Sequence, residues 1–345
     1  MLEDKELKEI KKLLETSQNP LFFYDNDSDG LCSYLLLARA LDRGKGVVIR
    51  SYPGLNEGYL RKVEELNPDL IVILDKPVVD KEFIEKVDKK GIPILWIDHH
   101  ETQVDKEILD SVYYFNSYPE AEPVTFICYN VFKNKKEQWL ALIGSVGDTY
   151  VPDFAKSFSK EFPDLFDYNV KGIEALYKTK IGEIVKILNF GLKDSITNVV
   201  NLTKYLLKAN SAYDILEENS FTKTLHKKFD ELNKVYKLNL ENAESVLAED
   251  PDSKILFYVY SGKSSMSAEI ANELYFRHPK KIVAVAYKNS DKVNVSLRGK
   301  NVRDAVIKIT GSIENSTGGG HKNACGASLP LDKLEEFKKL LYGFF

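Results

Sequence analysis

The chain is 345 residues long, enough for two domains each with its own core. Apolar residues make up 43% and charged residues 29%, ordinary for a globular protein, and no apolar run reaches the ~18 residues of a membrane-spanning helix. The net charge of −4 excludes the global basic footprint of a double-stranded DNA binder, although a local groove can be positive where cations cancel clustered aspartates.

The first residues, Met1-Leu2-Glu3-Asp4-Lys5-Glu6, are charged and lack an apolar signal core, so a cytoplasmic location is expected. The 3 cysteines (Cys32, Cys128, Cys325) are far apart and in no Cys-x-x-Cys spacing, and read as reduced thiols. From about Asp4 to Ser17, Leu and Ile alternate with Lys and Glu at helical spacing, an amphipathic helix. A short strand, Leu21–Tyr24, then runs into Asp25-Asn26-Asp27-Ser28-Asp29-Gly30. Three carboxylates at every second position repel one another unless cations neutralise them. In extended backbone they would point the same way and converge on one site. Gly30 permits a tight turn into a helix over Leu31–Leu41. A calcium loop is excluded, because the twelfth loop position, where an EF-hand needs Glu, is Leu36.

Val47–Tyr52 reads as a second strand and Leu70–Asp75 as a third, apolar and again ending in Asp. A helix over Asp80–Lys89 leads to the apolar run Pro93–Ile97, which ends in Asp98-His99-His100-Glu101. Two of the chain's 5 histidines stand side by side there, and a carboxylate with two imidazoles offers three ligands for a first-row metal. Val112–Asn116 is a fifth strand. Strands and helices alternating at short intervals predict a mostly parallel sheet, whose carboxyl ends share one edge. Taken singly, Asp-His-His fits a surface loop and a strand-end Asp fits a helix cap. Three acidic strand ends on one edge are better explained by a shared cation site. Helices follow over Glu122–Phe132 and Gln138–Gly147, and Asp148, after the small and flexible Gly144–Gly147 segment, is a further candidate ligand.

Residues 154–249 read as helical, closing in one long helix, Leu225–Leu247, taken as a connector. The second domain opens near Pro251 with a strand over Lys254–Tyr260 and a helix over Ser267–Arg277. A hairpin, Ile282–Tyr287 and Lys292–Arg298, precedes a helix over Val302–Ile309. Then comes Ser316-Thr317-Gly318-Gly319-Gly320-His321-Lys322, leading into a strand through Cys325. Three glycines free the backbone to aim N–H groups at an oxyanion, with Arg298, His321 and Lys322 as cationic donors; an anion-binding loop is expected.

These motifs together resemble the DHH/DHHA1 phosphoesterases, above all the short, archaeal-type RecJ-like branch of single-strand exonucleases. Asp25-x-Asp27-x-Asp29-Gly30 resembles the family's first motif, Asp75 the second, Asp98-His99-His100 the third and Asp148 the fourth. Ser296-Leu297-Arg298 and Gly318-Gly319-Gly320-His321 resemble the DHHA1 signature. The resemblance implies an α/β fold: a parallel-sheet DHH domain with a helical extension (residues 1–224), a connector helix (225–250) and a smaller α/β DHHA1 domain (251–345) that binds substrate. It also implies two Mn²⁺ or Mg²⁺ ions and hydrolysis of a phosphodiester in a cleft between the domains. In that scheme Asp75 bridges the ions and Asp27, Asp29, His99 and Asp148 complete their shells. Asp98 orients a ligand histidine, His100 contacts the scissile phosphate, and Arg298 and His321 hold a terminal phosphate. Two departures stand out. Branches acting on very short oligonucleotides or pyrophosphate often carry His four residues before Asp27, where this chain has Phe23, so Asp25 is expected to help hold one ion. The chain also lacks room for the extra nucleic-acid-binding domain of long RecJ nucleases. The expected function is a metal-dependent exonuclease on single-stranded DNA or RNA or short oligonucleotides, with replication or repair proteins as further partners and no membrane. The alternatives are a phosphodiesterase for cyclic or linear dinucleotides, and a non-catalytic scaffold in a replication complex.

Overall fold

The computed structural model describes residues 2–51, 54–101, 104–120, 122–170 and 172–345. The chain divides into two compact units, Met1–Phe229 and Asp230–Phe345.

In the first unit, strands β1 (Pro20–Asp25), β2 (Lys45–Ile49), β3 (Leu70–Leu74), β4 (Ile94–Asp98) and β5 (Tyr113–Asn116) form one sheet. All its pairings are parallel, in the order β2-β1-β3-β4-β5. The central strands are unbroken apolar runs because both faces are covered. Phe22, Tyr24, Val72 and Leu74 enter one core with the helices Ser28–Leu41, Val124–Phe132 and Gln138–Gly147. Leu21, Phe23, Ile71 and Ile73 enter the other, with Val63 and Phe83 of the helices Leu60–Leu66 and Lys81–Asp88. This strand order reverses direction between β1 and β3, and a doubly wound sheet opens its ligand crevice at that point, outside the carboxyl ends. Asp25 ends β1 and Asp75 follows β3.

The predicted strands and the long helices of the first unit lie within a few residues of the expected positions. The helix Leu60–Leu66, short and half exposed, is not among the elements expected from the sequence. The second strand ends at Ile49, short of the expected Arg50 and Ser51, and Tyr52 lies outside the described residues. No helix of the described residues is long and apolar enough to cross a membrane.

The second unit holds β6 (Ile255–Ser261), β7 (Ile282–Lys288), β8 (Lys292–Arg298), β9 (Thr317–His321) and β10 (Ala324–Pro330) in the order β6-β7-β8-β10-β9. Only β6 and β7 run parallel; β7–β8, the expected hairpin, and the pairs of β10 are antiparallel. One face packs on the helices Val302–Ser312 and Leu334–Phe344, the second of which the sequence reading does not anticipate. The long helix runs Lys223–Glu249.

Two expectations about glycine change. The helix after β1 begins at Ser28, so Gly30 lies in its first turn and does not make the turn. It is glycine because a Cβ there would stand 2.6 Å from the backbone N and O of Asp25. The Gly318–Gly320 segment is the edge strand β9, where a loop was expected. Gly318 presses on Val306 and Thr310 of the neighbouring helix, and Gly320 takes φ +128°.

The close approach at Gly30 sets a stability test. Gly30→Ala must push two elements apart and is expected to cost about 1–3 kcal/mol in denaturant unfolding of the first unit. Gly311→Ala, on an exposed helix position of the second unit with nothing within 4 Å, should be neutral or slightly stabilising in denaturant unfolding of that unit.

Candidate metal centre

Each acidic group at the carboxyl edge of the first sheet is set by its own local device. Asp25 ends β1, and its Oδ1 accepts from the backbone N–H of Asn26 (2.9 Å) and from Lys76 Nζ (2.7 Å). Asp27 caps the helix Ser28–Leu41, its Oδ1 accepting from the Gly30 N–H at 3.0 Å. Asp29 lies in the first helical turn, fully buried. Its two oxygens accept from the N–H groups of Val124 (2.9 Å) and Thr125 (2.8 Å), at the start of the helix Val124–Phe132. The three carboxylates therefore gather because a strand end, a cap and a helical turn follow in succession, and not because an extended strand alternates. Asp29 also neutralises a helix N-terminus.

Asp75 directly follows β3 with φ +59°, a left-handed backbone that Asp tolerates better than most residues. Its amide donates to Ile97 O at 3.0 Å, and the Trp96 indole donates to Lys76 O at 2.9 Å, fixing the chain on both sides of the carboxylate. His99 sits between two carboxylates, Nε2 lying 3.3 Å from Asp75 Oδ1 and 3.2 Å from Asp148 Oδ2. The fully buried Asp98 contacts the other imidazole: its Oδ1 lies 2.9 Å from His100 Nδ1, which is 3.8 Å from Asp75 Oδ1. Asp98 thus orients His100, the ring expected to meet phosphate, and His99 is steered by Asp75 and Asp148. Asp148 closes the helix Gln138–Gly147. The small residues before it are helical and serve close packing, where the sequence suggested flexibility: a Cβ on Gly144 would meet Thr125 Oγ1, and one on Gly147 would meet Ser28 Oγ, each at 2.1 Å.

Among the described residues of the first unit, three sets place their ligand atoms within 4.8 Å of one another: Asp29, His99 and Asp148; Asp75, Asp98 and His100; and Asp25, Asp27 and Asp75. Asp75 Oδ1 is buried and makes no hydrogen bond, although the His99 ring is near. A charged oxygen left so among carboxylates and imidazoles is costly without a cation, and hard or borderline divalent ions fit the O/N donor set. Without ions the cluster retains protons. Burial and the neighbouring Asp25, Asp148 and Asp29 push Asp27 far up. Burial together with Asp29 and Asp27 does the same to Asp75. Asp29 is pushed up to about 6, by burial and by Asp148. For His99 burial works downward, but Asp75, Asp148 and Asp29 outweigh it and hold the imidazolium well above its ordinary range.

Lys76 is not singled out by the sequence, since a lysine after a strand normally reaches solvent. Here it is buried. The one available signal is its place beside Asp75 on the edge already marked by acidic strand ends.

In the second unit Arg298 Nε donates to Asn272 Oδ1, and its Nη1 donates to Leu297 O at 2.8 Å. Ala324 of β10 lies opposite both Arg298 and His321 in register, so these two residues flank one strand. A Cβ on Gly319 would meet nothing within 4 Å, so that stretch of β9 is open.

A switch-point edge gathering Asp-x-Asp-x-Asp, a strand-end Asp, Asp-His-His and a fourth Asp, followed by a small mixed-sheet unit, defines the class of DHH-type phosphoesterases. The chain belongs to the DHH/DHHA1 family: the model of the DHH family N-terminal domain matches residues 21–144 and that of the DHHA1 domain residues 252–345, together well over half of the sequence. No curated protein matches it. Among solved structures it is similar to RecJ from Thermus thermophilus in complex with Mn²⁺, at 15% identity and TM-score 0.68, covering 99% of this chain and 55% of that one. The chain thus spans little more than half the length of that relative. It is also similar to an exonuclease RecJ bound to manganese, at 16% identity and TM-score 0.61, covering 99% and 95%. A third similar structure is the pGpG-specific phosphodiesterase PggH from Vibrio cholerae, at 13% identity and TM-score 0.50, covering 94% and 98%.

The raised carboxylates give a pH test with one sign. A carboxyl group held above its ordinary value near 4 contributes stability at low pH that is lost as pH rises through its folded value. Asp29, with its value about 6, therefore sets a loss between about pH 4 and 6, which Asp27 and Asp75 extend upward. The raised His99 acts in the same sense. The metal-stripped protein should melt at lower temperature at about pH 7.5 than at about pH 5. Saturating Mn²⁺ should raise the melting temperature more at the higher pH, with a stabilisation of about 2.7 kcal/mol at a hundredfold excess over Kd.

Proposed function

We propose that the chain is a divalent-metal-dependent phosphodiesterase, an exonuclease that releases nucleoside monophosphates from single-stranded DNA or RNA or from short oligonucleotides. The observation that carries this reading is the convergence of Asp27, Asp29, Asp75, His99 and Asp148, from separate points of the chain, at the switch-point edge of one sheet. The similar RecJ structures, which hold Mn²⁺, support the same choice of ion.

Mn²⁺ or Mg²⁺ would be held by Asp29, His99 and Asp148 on one side and by Asp25, Asp27 and Asp75 on the other, with Asp75 between. Bound there, such ions lower the pKa of water and stabilise the charge on a phosphodiester under attack. Everything else falls to this chain's own groups. Asp98 fixes the His100 ring through Nδ1, which presents the opposite nitrogen as a donor or acceptor toward a phosphate oxygen. Asp27 and Asp29 hold the start of two helices rigid around the site, so that ligand positions are set before substrate arrives. In the second unit, Arg298 and His321 bind the phosphate of the terminal nucleotide, and the open backbone at Gly319 lets it come close. The partners on this reading are single-stranded nucleic acid and the replication or repair proteins that handle it.

Asp75→Ala should abolish at least about 99% of mononucleotide release from an end-labelled single strand in Mn²⁺. Undiminished release would refute the assignment. Asp98→Asn should lower the rate about 10–100-fold while leaving bound metal nearly unchanged, because it acts through His100. Competition between a labelled oligomer and an unlabelled dinucleotide separates the exonuclease from a dinucleotide phosphodiesterase: the oligomer is expected to prevail. A protein acting only as a scaffold would carry no metal by elemental analysis.

A further inference from the structure

Lys76 stands within the acidic centre and takes no part in the scheme above. Its backbone cannot shift freely: it follows Asp75 in left-handed geometry, and the buried Trp96 indole donates to its carbonyl at 2.9 Å. The side chain is only 10% exposed and turns to Asp25, with Nζ 2.7 Å from Oδ1. That oxygen also accepts from the Asn26 N–H at 2.9 Å, so both of its lone pairs are taken. An ion reaching Asp25 must use the other oxygen with an ammonium close by, or displace the lysine. The two ligand sets therefore differ in kind. Asp25, Asp27 and Asp75 have at their rim a lysine that is no ligand and keeps its charge, whereas the cation of the other set is His99 itself, 3.2 Å from Asp148 and 3.3 Å from Asp75, which gives up its proton when it ligates.

We propose that Lys76 makes the two cation positions unequal: by its fixed positive charge beside Asp25 it weakens divalent-ion binding at the Asp25, Asp27 and Asp75 set, leaving Asp29, His99 and Asp148 as the tight position. The proposal rests on the metal-centre reading and deepens it. An ammonium a few ångströms from a dication repels it strongly where water is scarce, and a tenfold loss of affinity is a modest outcome of such repulsion. A chain built this way holds one ion throughout and completes its centre only when the second is abundant or when substrate phosphate brings further negative charge.

The test titrates the metal-stripped 345-residue chain with Mn²⁺ and follows the free ion by electron paramagnetic resonance, which counts bound ions without any assay of activity. Wild type should bind one ion tightly and a second at least about ten times more weakly. Lys76→Met, which keeps the bulk and removes the charge, should bring the second affinity to within a few-fold of the first. Should Lys76→Met not fold, Lys76→Gln is measured in the same way, and the wild-type curve alone tests the inequality. Two equal sites in wild type, or an unchanged spread in both variants, would overturn the role given to Lys76. Loss of oligonucleotide binding in the variants with metal binding unchanged would overturn it too, by making the lysine a substrate contact. Absence of any bound Mn²⁺ in wild type would instead bring down the phosphoesterase reading, so the two failures are distinct.

Discussion

Mutual repulsion among buried carboxylates is the constraint on which this architecture turns. Asp29, Asp75 and Asp98 are essentially removed from water, with Asp27 and Asp148 beside them. Nothing in ordinary folding favours such a group. Each charge costs solvation and each neighbour adds to the cost. The local answers are visible: Asp29 takes two helix N–H groups, Asp25 takes a lysine, Asp98 takes a histidine. Asp75 Oδ1 and the space around His99 are left for divalent ions or protons to neutralise.

The surrounding fold is arranged to hold that unfavourable cluster still. Left-handed backbone at Asp75, a glycine pressed on Asp25, and small residues where one helix meets two others each bring polar groups closer than ordinary packing allows. Their stabilisation comes from elsewhere: two continuous apolar layers sandwich the parallel sheet, and the long-range pairing of β1 with both β2 and β3 fixes the position of the crevice. The charged edge is thus supported by strand interiors built of aliphatic and aromatic side chains.

Much of this was legible in the chain itself. The strands announced themselves as apolar runs closing in Asp, and the positions of Asp25, Asp75 and Asp98 at strand ends follow from that pattern. Alternation of strand and helix gave the parallel sheet. Less legible were features that depend on a partner far away in sequence. Gly30 looked like a turn residue because turns are the commoner reason for glycine, whereas its cause is the backbone five residues earlier, folded against it. Gly318–Gly320 suggested a free loop; pairing with β10 made it a strand, and contact with Val306 and Thr310 explains the first glycine. Lys76 is the clearest case, since only the meeting of β1 and β3 turns it from a solvent lysine into a partner of Asp25.

By itself the sequence determined which residues are candidates for metal chemistry, because metal-ligand types and their placement after apolar runs are local properties of the chain. It also determined that these residues share an edge, because parallel strands must end together. Tertiary structure alone decided the strand order that sets β1 beside β3, the imidazole to which Asp98 is bound, and the cation standing against Asp25. The physical reason is that distance and burial, on which every electrostatic energy here depends, are created only when remote segments pack.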